Sequence, residues 1–199
     1  LYAVAHLLIY VLDQKWNLLV VATEILRRFY LTIGFVSLVV LVVLAITSTD
    51  GWQKRLKRNW KRLHWLVYPA VAVAIVHFFI QSKVKIGEPA FTAGLFAWLM
   101  LWRVLPARLQ KSWTGLALLA VASTLLTVVF EAAWYGLVNG LDPRRALWAY
   151  LDPDLAPRPA QKVLLAALAV MAAVALRRGA RAANRLWTKR YIQPTIPTS

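Results

Sequence analysis

The sequence predicts an all-α fold, a polytopic bundle of transmembrane helices. Of the 199 residues, 60% are hydrophobic and only 16% are charged, whereas soluble domains carry about 25% charged residues. Apolar runs close to the length that a helix needs to cross a bilayer recur along the chain. Ten tryptophans agree with this class, because indole rings gather at membrane interfaces. The absence of cysteine excludes disulfides and iron–sulfur clusters.

The first two predicted elements are a short apolar helix and an amphipathic one. The apolar run at 1–12 corresponds to about 18 Å of helix, against a hydrocarbon core of about 30 Å. We interpret it as the second half of a spanning helix, so the N-terminal helices are expected to be missing from this fragment. Residues 13–29 are too polar at both ends to span, and they predict an amphipathic helix on the membrane surface.

Five further apolar runs predict the remaining spans, and clusters of proline and glycine mark the turns between them. The predicted spans are 30–49, 63–82, 91–106, 113–137 and 161–178. The shortest of these runs, 91–106, is the least typical of a transmembrane helix.

The distribution of lysine and arginine predicts the orientation of the helices. The stretches 50–62, 103–111 and 177–190 hold fifteen of the 24 basic residues, and six of the eight acidic residues lie in the alternate loops. The positive-inside rule therefore places these three stretches and the C-terminus in the cytoplasm. We interpret the formal charge of +16 as a determinant of topology. Contact with membrane lipid is expected, and contact with nucleic acid is not.

Two of the three histidines are predicted to lie at one membrane depth. In the predicted orientation His6 and His77 differ in depth by about 3 Å, near the outer ends of two different helices. Two imidazoles at one level could hold a haem iron from both faces. His64 lies roughly 20 Å deeper than His77, and it would need a partner outside this fragment or of another residue type. Each ring could instead be a hydrogen-bonding residue at a helix end.

The sequence around these histidines resembles the MsrQ family over about residues 1–106. The features that carry the resemblance are the upstream run with His6, "TST" at 47–49, Trp60, "RLHWLVY" at 62–68 and His77. MsrQ proteins are haem-binding membrane subunits of a periplasmic methionine sulfoxide reductase system, within a wider ferric-reductase-like transmembrane group. The chain departs from the family pattern at Phe29, near Lys57 and at Phe78, and none of these positions is a proposed ligand.

The resemblance implies a domain organisation and a set of cofactors. Residues 1–106 would form a haem-binding transmembrane core, and residues 107–199 a C-terminal extension with two further transmembrane helices and a basic cytoplasmic tail. His6 and His77 would be the axial ligands of a haem b iron, with His64 as ligand of a second haem or as an alternative ligand. FMN is associated with the family, although the sequence shows no site for it.

The resemblance also implies an electron-transfer subunit of an oxidoreductase in the bacterial inner membrane. Electrons would come from the quinone pool or from a cytosolic flavin reductase. They would pass to MsrP, a periplasmic molybdopterin enzyme that reduces methionine sulfoxide in proteins. The sequence has no G-x-G-x-x-G motif and no P-loop, so this fragment is not expected to carry a Rossmann-type NAD(P)H or flavin domain.

Two other classes of function stay open. One is a proton-coupled transporter or channel that uses intramembrane histidines and Glu131, although the internal repeats typical of transporters are not evident. The other is a non-catalytic membrane anchor. We favour a structural role for Glu131, as an interfacial carboxylate that reaches water or pairs with an outer-loop arginine. The alternative is a functional role, in which Glu131 transfers a proton or contacts a quinone headgroup. Trp60, Trp65 and Trp102 are assigned to an interfacial belt.

Overall fold

The computed structural model describes residues 2–83, 85–152 and 156–191. Within these ranges the chain forms α-helices and no β-strand, which confirms the all-α prediction. The packing divides the chain into two compact units, residues 1–93 and 94–199, and the boundary lies inside a helix.

The described residues form eleven helices, six of which lie wholly in the first unit. These six are α1 (Tyr2–Asp13), α2 (Leu18–Arg27), α3 (Phe29–Ile46), α4 (Asp50–Leu56), α5 (Arg58–His64) and α6 (Val67–Ser82). Helix α7 (Gly87–Val104) contains the boundary. The second unit continues with α8 (Ala107–Gln110), α9 (Trp113–Leu137), α10 (Pro143–Trp148) and α11 (Pro159–Tyr191).

Four helical segments in the described ranges are long and apolar enough to cross a membrane, namely Phe29–Ile46, Arg58–Ser82, Trp113–Leu137 and Pro159–Thr188. They correspond to four of the predicted spans, and they agree with a multi-pass membrane protein. The predicted span at 91–106 forms α7, which is not one of the four. Glu88, Pro89 and Arg103 lie within this 18-residue helix, and they lower its mean hydropathy.

A sharp bend separates α1 from α2. The two helices meet at 114°, and counted together they are a fifth candidate span. Lys15 and Trp16 at the bend have φ of 51° and 61°, in the left-handed region that side chains other than glycine rarely adopt. Asn17 then starts α2, because its side chain accepts a hydrogen bond from the Val20 amide at 3.2 Å. The predicted amphipathic helix at 13–29 is therefore shorter than expected, and it packs on α3.

Helices α3 and α6 form the main packed pair of the first unit. They are antiparallel, because Tyr30 at the start of α3 contacts His77 near the end of α6, whereas Ser48 after α3 contacts His64 before α6. Between these contacts Ser37 is buried. Its hydroxyl donates to the Ile33 carbonyl of its own helix at 2.9 Å, which satisfies this polar group in an apolar setting.

The second unit is built on α9, which packs against α10 and α11. Gly94 allows α7 to approach α9 and α11 closely. A Cβ at that position would lie 2.3 Å from Thr127 Oγ1 on α9 and 2.6 Å from Val163 on α11. Small residues at such crossings are typical of helices that associate within membranes. Helix α11 contains 33 residues and extends past the predicted end at 178, so the predicted basic tail is helical through Tyr191.

Candidate functional site

The imidazole of His77 is oriented by the backbone of α3. Its Nδ1 atom lies 2.6 Å from the carbonyl oxygen of Tyr30. Since a carbonyl oxygen can only accept, Nδ1 carries the proton and donates it. The lone pair of the neutral ring is then on Nε2, and in the described part of the chain that atom has no hydrogen-bond partner. His77 thus presents one nitrogen that is free to bind a metal.

Gly34 provides the space for this ring. It lies one helical turn after Tyr30 on α3, and a Cβ there would be 2.7 Å from both Cε1 and Nδ1 of His77. Any larger residue would have to displace the imidazole. The Tyr30 ring also stacks with His77, with 6.4 Å between the centroids and 22° between the planes. The ring of His77 is therefore positioned by one hydrogen bond, one aromatic neighbour and one glycine.

His6 lies on α1 in a more open setting. Its side chain is exposed, and its ring stacks with that of Tyr2 at 6.4 Å between centroids. Within the described ranges neither ring nitrogen of His6 has a hydrogen-bond partner, and the ring does not touch His77. The equal depth of His6 and His77 stays a prediction.

A series of polar contacts connects α1, which contains His6, through α2 to α3, which supplies the carbonyl partner of His77. Tyr10, one turn after His6, donates its hydroxyl to Glu24 Oε2 at 2.7 Å. Arg28 donates to Glu24 Oε1 at 2.8 Å and to the Tyr30 hydroxyl at 3.3 Å. Sequence reasoning missed this series of contacts. Glu24 and Arg28 have the i,i+4 spacing of a helical ion pair, and that spacing was the available signal.

His64 lies at the opposite end of the α3–α6 pair. Its Nδ1 is 3.1 Å from the Trp60 carbonyl oxygen, and its Nε2 is 3.2 Å from Ser48 Oγ. The ring also stacks on Trp60, with centroids 4.0 Å apart. Both ring nitrogens are therefore in contact with protein. Since His64 and His77 lie on one helical segment, thirteen residues of helix put them roughly 20 Å apart.

With the exception of His77, these residues lie in the part of the chain that matches a known transmembrane family. Residues 1–75 match the family described as ferric reductase like transmembrane component. The protein-methionine-sulfoxide reductase heme-binding subunit MsrQ of Xanthomonas axonopodis pv. citri is 49% identical over 104 residues, which cover 52% of this chain and 48% of that protein. About half of the chain thus resembles MsrQ.

Other MsrQ proteins give the same result. The MsrQ of Xanthomonas oryzae pv. oryzae is 46% identical over 115 residues, covering 56% of this chain and 53% of that protein. The MsrQ of Brucella anthropi is 44% identical over 104 residues, covering 52% and 47%. The chain spans about half the length of these curated relatives. No solved structure matches it.

The resemblance to MsrQ is confirmed, and three of the features that predicted it, "TST", Trp60 and His64, come together in the structure. Around His64, Trp60 donates its indole Nε1–H to the Thr47 carbonyl at 2.8 Å, and Ser48 contacts the imidazole. "TST", Trp60 and His64 thus join the end of α3 to the segment 58–82. Trp60 is half-buried and forms part of this joint, and its assignment to an interfacial belt stays a prediction.

Glu131 lies in a separate buried cluster of the second unit. Its side chain is 1% exposed, and it accepts hydrogen bonds from Arg158 Nη2 at 2.6 Å and from the Tyr150 hydroxyl. The interpretation that Glu131 pairs with a loop arginine is confirmed, but the carboxylate does not reach water. Burial and then the hydrogen bond to Glu131 raise the pKa of Tyr150 above its usual value. Burial lowers the pKa of Arg158, but the nearby carboxylate reverses this effect and the net shift is upward.

Proposed function

We propose that the chain is a haem-binding electron-transfer subunit of a methionine sulfoxide reductase system. The observation that carries the proposal is the hydrogen bond that selects one tautomer of His77. Nδ1–H donates to the Tyr30 carbonyl, which leaves the lone pair of Nε2 available for a metal. Histidines that bind metals usually donate their other ring N–H to a carbonyl or carboxylate in this way. The relatives that match about half of the chain are named heme-binding subunits.

The residues present fit a b-type haem with His6 and His77 as axial ligands. His77 offers Nε2, and the two ring nitrogens of His6 have no hydrogen-bond partner in the described residues. Within those residues no three acidic, histidine or cysteine side chains are grouped to hold a metal ion directly. A haem needs less from the protein, since one axial side chain from each face completes the coordination of its iron.

The protein residues in this proposal position and insulate the cofactor. A haem, when bound, supplies one-electron redox chemistry. The hydrogen bond from His77 to Tyr30 holds the ring in one tautomer and one orientation and increases the basicity of Nε2. Gly34 keeps the imidazole close to α3. Within a membrane, the apolar side chains of α3 and α6 would keep water away from the cofactor.

We propose His64 as the ligand of a second haem or as an alternative ligand. Its Nε2 contacts Ser48 at 3.2 Å, and ligation would replace that contact. The Ser48 hydroxyl would keep its hydrogen bond to the Leu44 carbonyl, at 2.6 Å. A haem at His64 would stand at the other end of the same helix pair and would extend electron transfer across the membrane.

The proposal includes the partners and the compartment. The word subunit in the names of the relatives supports an MsrP-type molybdopterin partner that reduces methionine sulfoxide in proteins. The quinone pool or a cytosolic flavin reductase would supply electrons, and FMN would be an additional cofactor. The resemblance to MsrQ supports a bacterial inner membrane location, and the three basic stretches support a cytoplasmic C-terminus. Residues 1–106 would be the haem core, with residues 107–199 as an extension.

Haem spectroscopy of the purified full chain tests this function. The protein from haem-replete cells should show a low-spin b-type spectrum, and quinol should reduce an added MsrP-type partner through it. His6→Ala and His77→Ala should each remove the low-spin spectrum, because one imidazole leaves an axial position open. A colourless preparation, as expected for a transporter or an anchor, would overturn the proposal. A normal six-coordinate spectrum in either variant would overturn the ligand assignment.

A further inference from the structure

Helix α11 changes from apolar to basic along its length. Its first eighteen residues, 159–176, include one charged residue, whereas residues 177–190 include six lysines and arginines. The apolar part corresponds to about 27 Å of helix, close to the thickness of a hydrocarbon core. The basic part therefore begins at the depth of the lipid headgroups when the apolar part spans the membrane.

Three guanidinium groups of this basic part line one open groove. The described residues that line this shallow groove all lie on the surface of α11, namely Arg178, Arg181, Ala182, Arg185 and Leu186. The spacing of three and then four residues puts the arginines on a single face of the helix. That face extends about 10 Å along the axis, so the cations lie close together.

A backbone carbonyl and an indole contact this face. Arg178 Nη2 donates to the carbonyl oxygen of Lys111 at 2.7 Å, and its guanidinium lies 4.9 Å from the centroid of the Trp113 ring. Lys111 and Trp113 precede and begin α9, another span. The groove therefore lies beside the point where two apolar helices leave the membrane on the same side.

The cations of the groove have no acidic counterpart in this part of the sequence. No aspartate or glutamate occurs at 89–130 or at 155–199. In the described ranges no ion pair involves Arg178, Arg181 or Arg185. Uncompensated guanidinium groups at this spacing are suited to bidentate contacts with phosphate oxygens.

We propose that this groove binds the phosphate of an anionic phospholipid. Charge complementarity and continuity with two spans identify this occupant, because a headgroup phosphate lies where the apolar part of α11 ends. Trp113, at the start of α9, is 44% exposed, and its indole is suited to contact the glycerol region of the lipid. Basic pockets of this kind beside transmembrane helices recruit anionic headgroups.

Native mass spectrometry of the full chain tests the proposal independently of haem. The protein in neutral detergent would be titrated with cardiolipin and, separately, with phosphatidylcholine. The parent should retain cardiolipin preferentially. Arg181→Gln with Arg185→Gln should weaken this retention by about tenfold to thirtyfold. Arg144→Gln with Arg145→Gln removes the same amount of charge from α10, and it should leave the retention of cardiolipin unchanged.

Three outcomes would overturn the assignment. Equal retention of cardiolipin by the Arg181/Arg185 variant and the parent would show that the groove is not the site. Equal loss in the Arg144/Arg145 variant would show that only net charge matters. Displacement of cardiolipin by millimolar inorganic phosphate would identify a free anion, and not a lipid, as the ligand. The haem spectrum of the Arg181/Arg185 variant should match that of the parent, so failure here leaves the proposed function intact.

Discussion

His77 Nδ1 lies 2.6 Å from the carbonyl oxygen of Tyr30, across a sequence separation of 47 residues. The acceptor belongs to the backbone, so the orientation of the imidazole depends on where α3 begins and on how α3 packs against α6. Substitution of the Tyr30 side chain leaves this acceptor in place. The geometry of the proposed ligand is therefore sensitive to the packing of the helix pair more than to the identity of residue 30.

Substitution of Gly34 should displace the imidazole of His77. A Cβ would come within 2.7 Å of two ring atoms, so Gly34→Ala should shift the ring and Gly34→Val should force it from the Tyr30 carbonyl. Loss of such an orienting contact typically lowers the affinity of a metal site about tenfold to a hundredfold. Haem content and the Soret spectrum of the purified variants measure the effect.

Gly51→Ala is the matched control for Gly34. Nothing lies within 4 Å of a Cβ at Gly51, which is also in a helix of the first unit. This variant should bind haem as the parent does. If Gly34→Val bound haem with unchanged spectrum and affinity, His77 would not be a ligand in the orientation described.

Removal of the Glu24 carboxylate charge should loosen α1 relative to α3. Glu24→Gln weakens the contacts to Tyr10 and Arg28, at a cost of about 0.5–1.5 kcal/mol for the hydrogen bond to Tyr10. Since Tyr10 is one turn from His6, the expected result is a broadened low-spin spectrum and weaker haem retention. Thr23→Val removes only hydroxyl contacts within α2 and should leave the spectrum unchanged. Identical spectra for Glu24→Gln and the parent would separate this series of contacts from the haem site.

Substitution of His64 should leave the haem at His77 in place. The two rings are roughly 20 Å apart along one helical segment. His64→Ala removes contacts to Ser48 and Trp60, and the melting temperature should fall in line with a loss of about 1–3 kcal/mol. Haem stoichiometry would fall only if a second haem is bound. Loss of all haem in His64→Ala, with retention in His6→Ala, would reverse the assignment.

The buried pair of Glu131 and Arg158 should be strongly coupled. Removal of one partner leaves a buried charge, which typically costs 3–5 kcal/mol. Since the Arg158 side chain is 20% exposed, we expect about 2–4 kcal/mol for Glu131→Leu or for Arg158→Leu. The double variant should be more stable than either single variant. Thermal unfolding of the parent, the two single variants and the double variant in detergent measures this double-mutant cycle. Arg144→Leu, at an exposed position, is the control. Additive effects of the two substitutions on stability would contradict the coupling.

The hydroxyl of Tyr150 should make the second unit sensitive to alkali. Burial and Glu131 raise its pKa in the folded state above an unperturbed value of about 10. The stabilisation is complete below pH 10 and is lost as the pH rises towards the folded pKa, because the unfolded chain releases this proton first. The melting temperature above pH 10 should therefore fall more steeply for the parent than for Tyr150→Phe. Tyr135→Phe controls for removal of a hydroxyl, and parallel curves for parent and Tyr150→Phe would contradict the prediction.

Hydropathy predicted the membrane helices well where they are uniformly apolar. The span at 113–137 has the bounds of α9, which starts at Trp113 because Ser112 accepts a hydrogen bond from the Gly115 amide. The same reasoning ended the last helix too early. Arginine and alanine at 177–190 are strong helix formers, so α11 continues after its hydropathy falls. Hydropathy reports the limits of an apolar segment and not the limits of the helix.

The site could be predicted only in part, for a reason that its residues illustrate. The separation of His64 and His77 follows from the rise of one helical segment. The contacts of His77 with Tyr30 and Gly34 depend on the register of α3 against α6, which no local pattern specifies. Similarly, Glu131 was expected to pair with an arginine, but only the fold of the loop selects Arg158.

The length of α11 has a mechanical consequence. Its 33 residues give about 50 Å of continuous helix, about 20 Å more than a hydrocarbon core. The surplus lies on the arginine-rich side, and moving those charges into hydrocarbon would cost several kcal/mol. A thicker bilayer would have to thin around the helix, and a thinner one would make it tilt. Helix α11 thus fixes the depth of the second unit in the bilayer, and it makes that depth sensitive to hydrophobic mismatch.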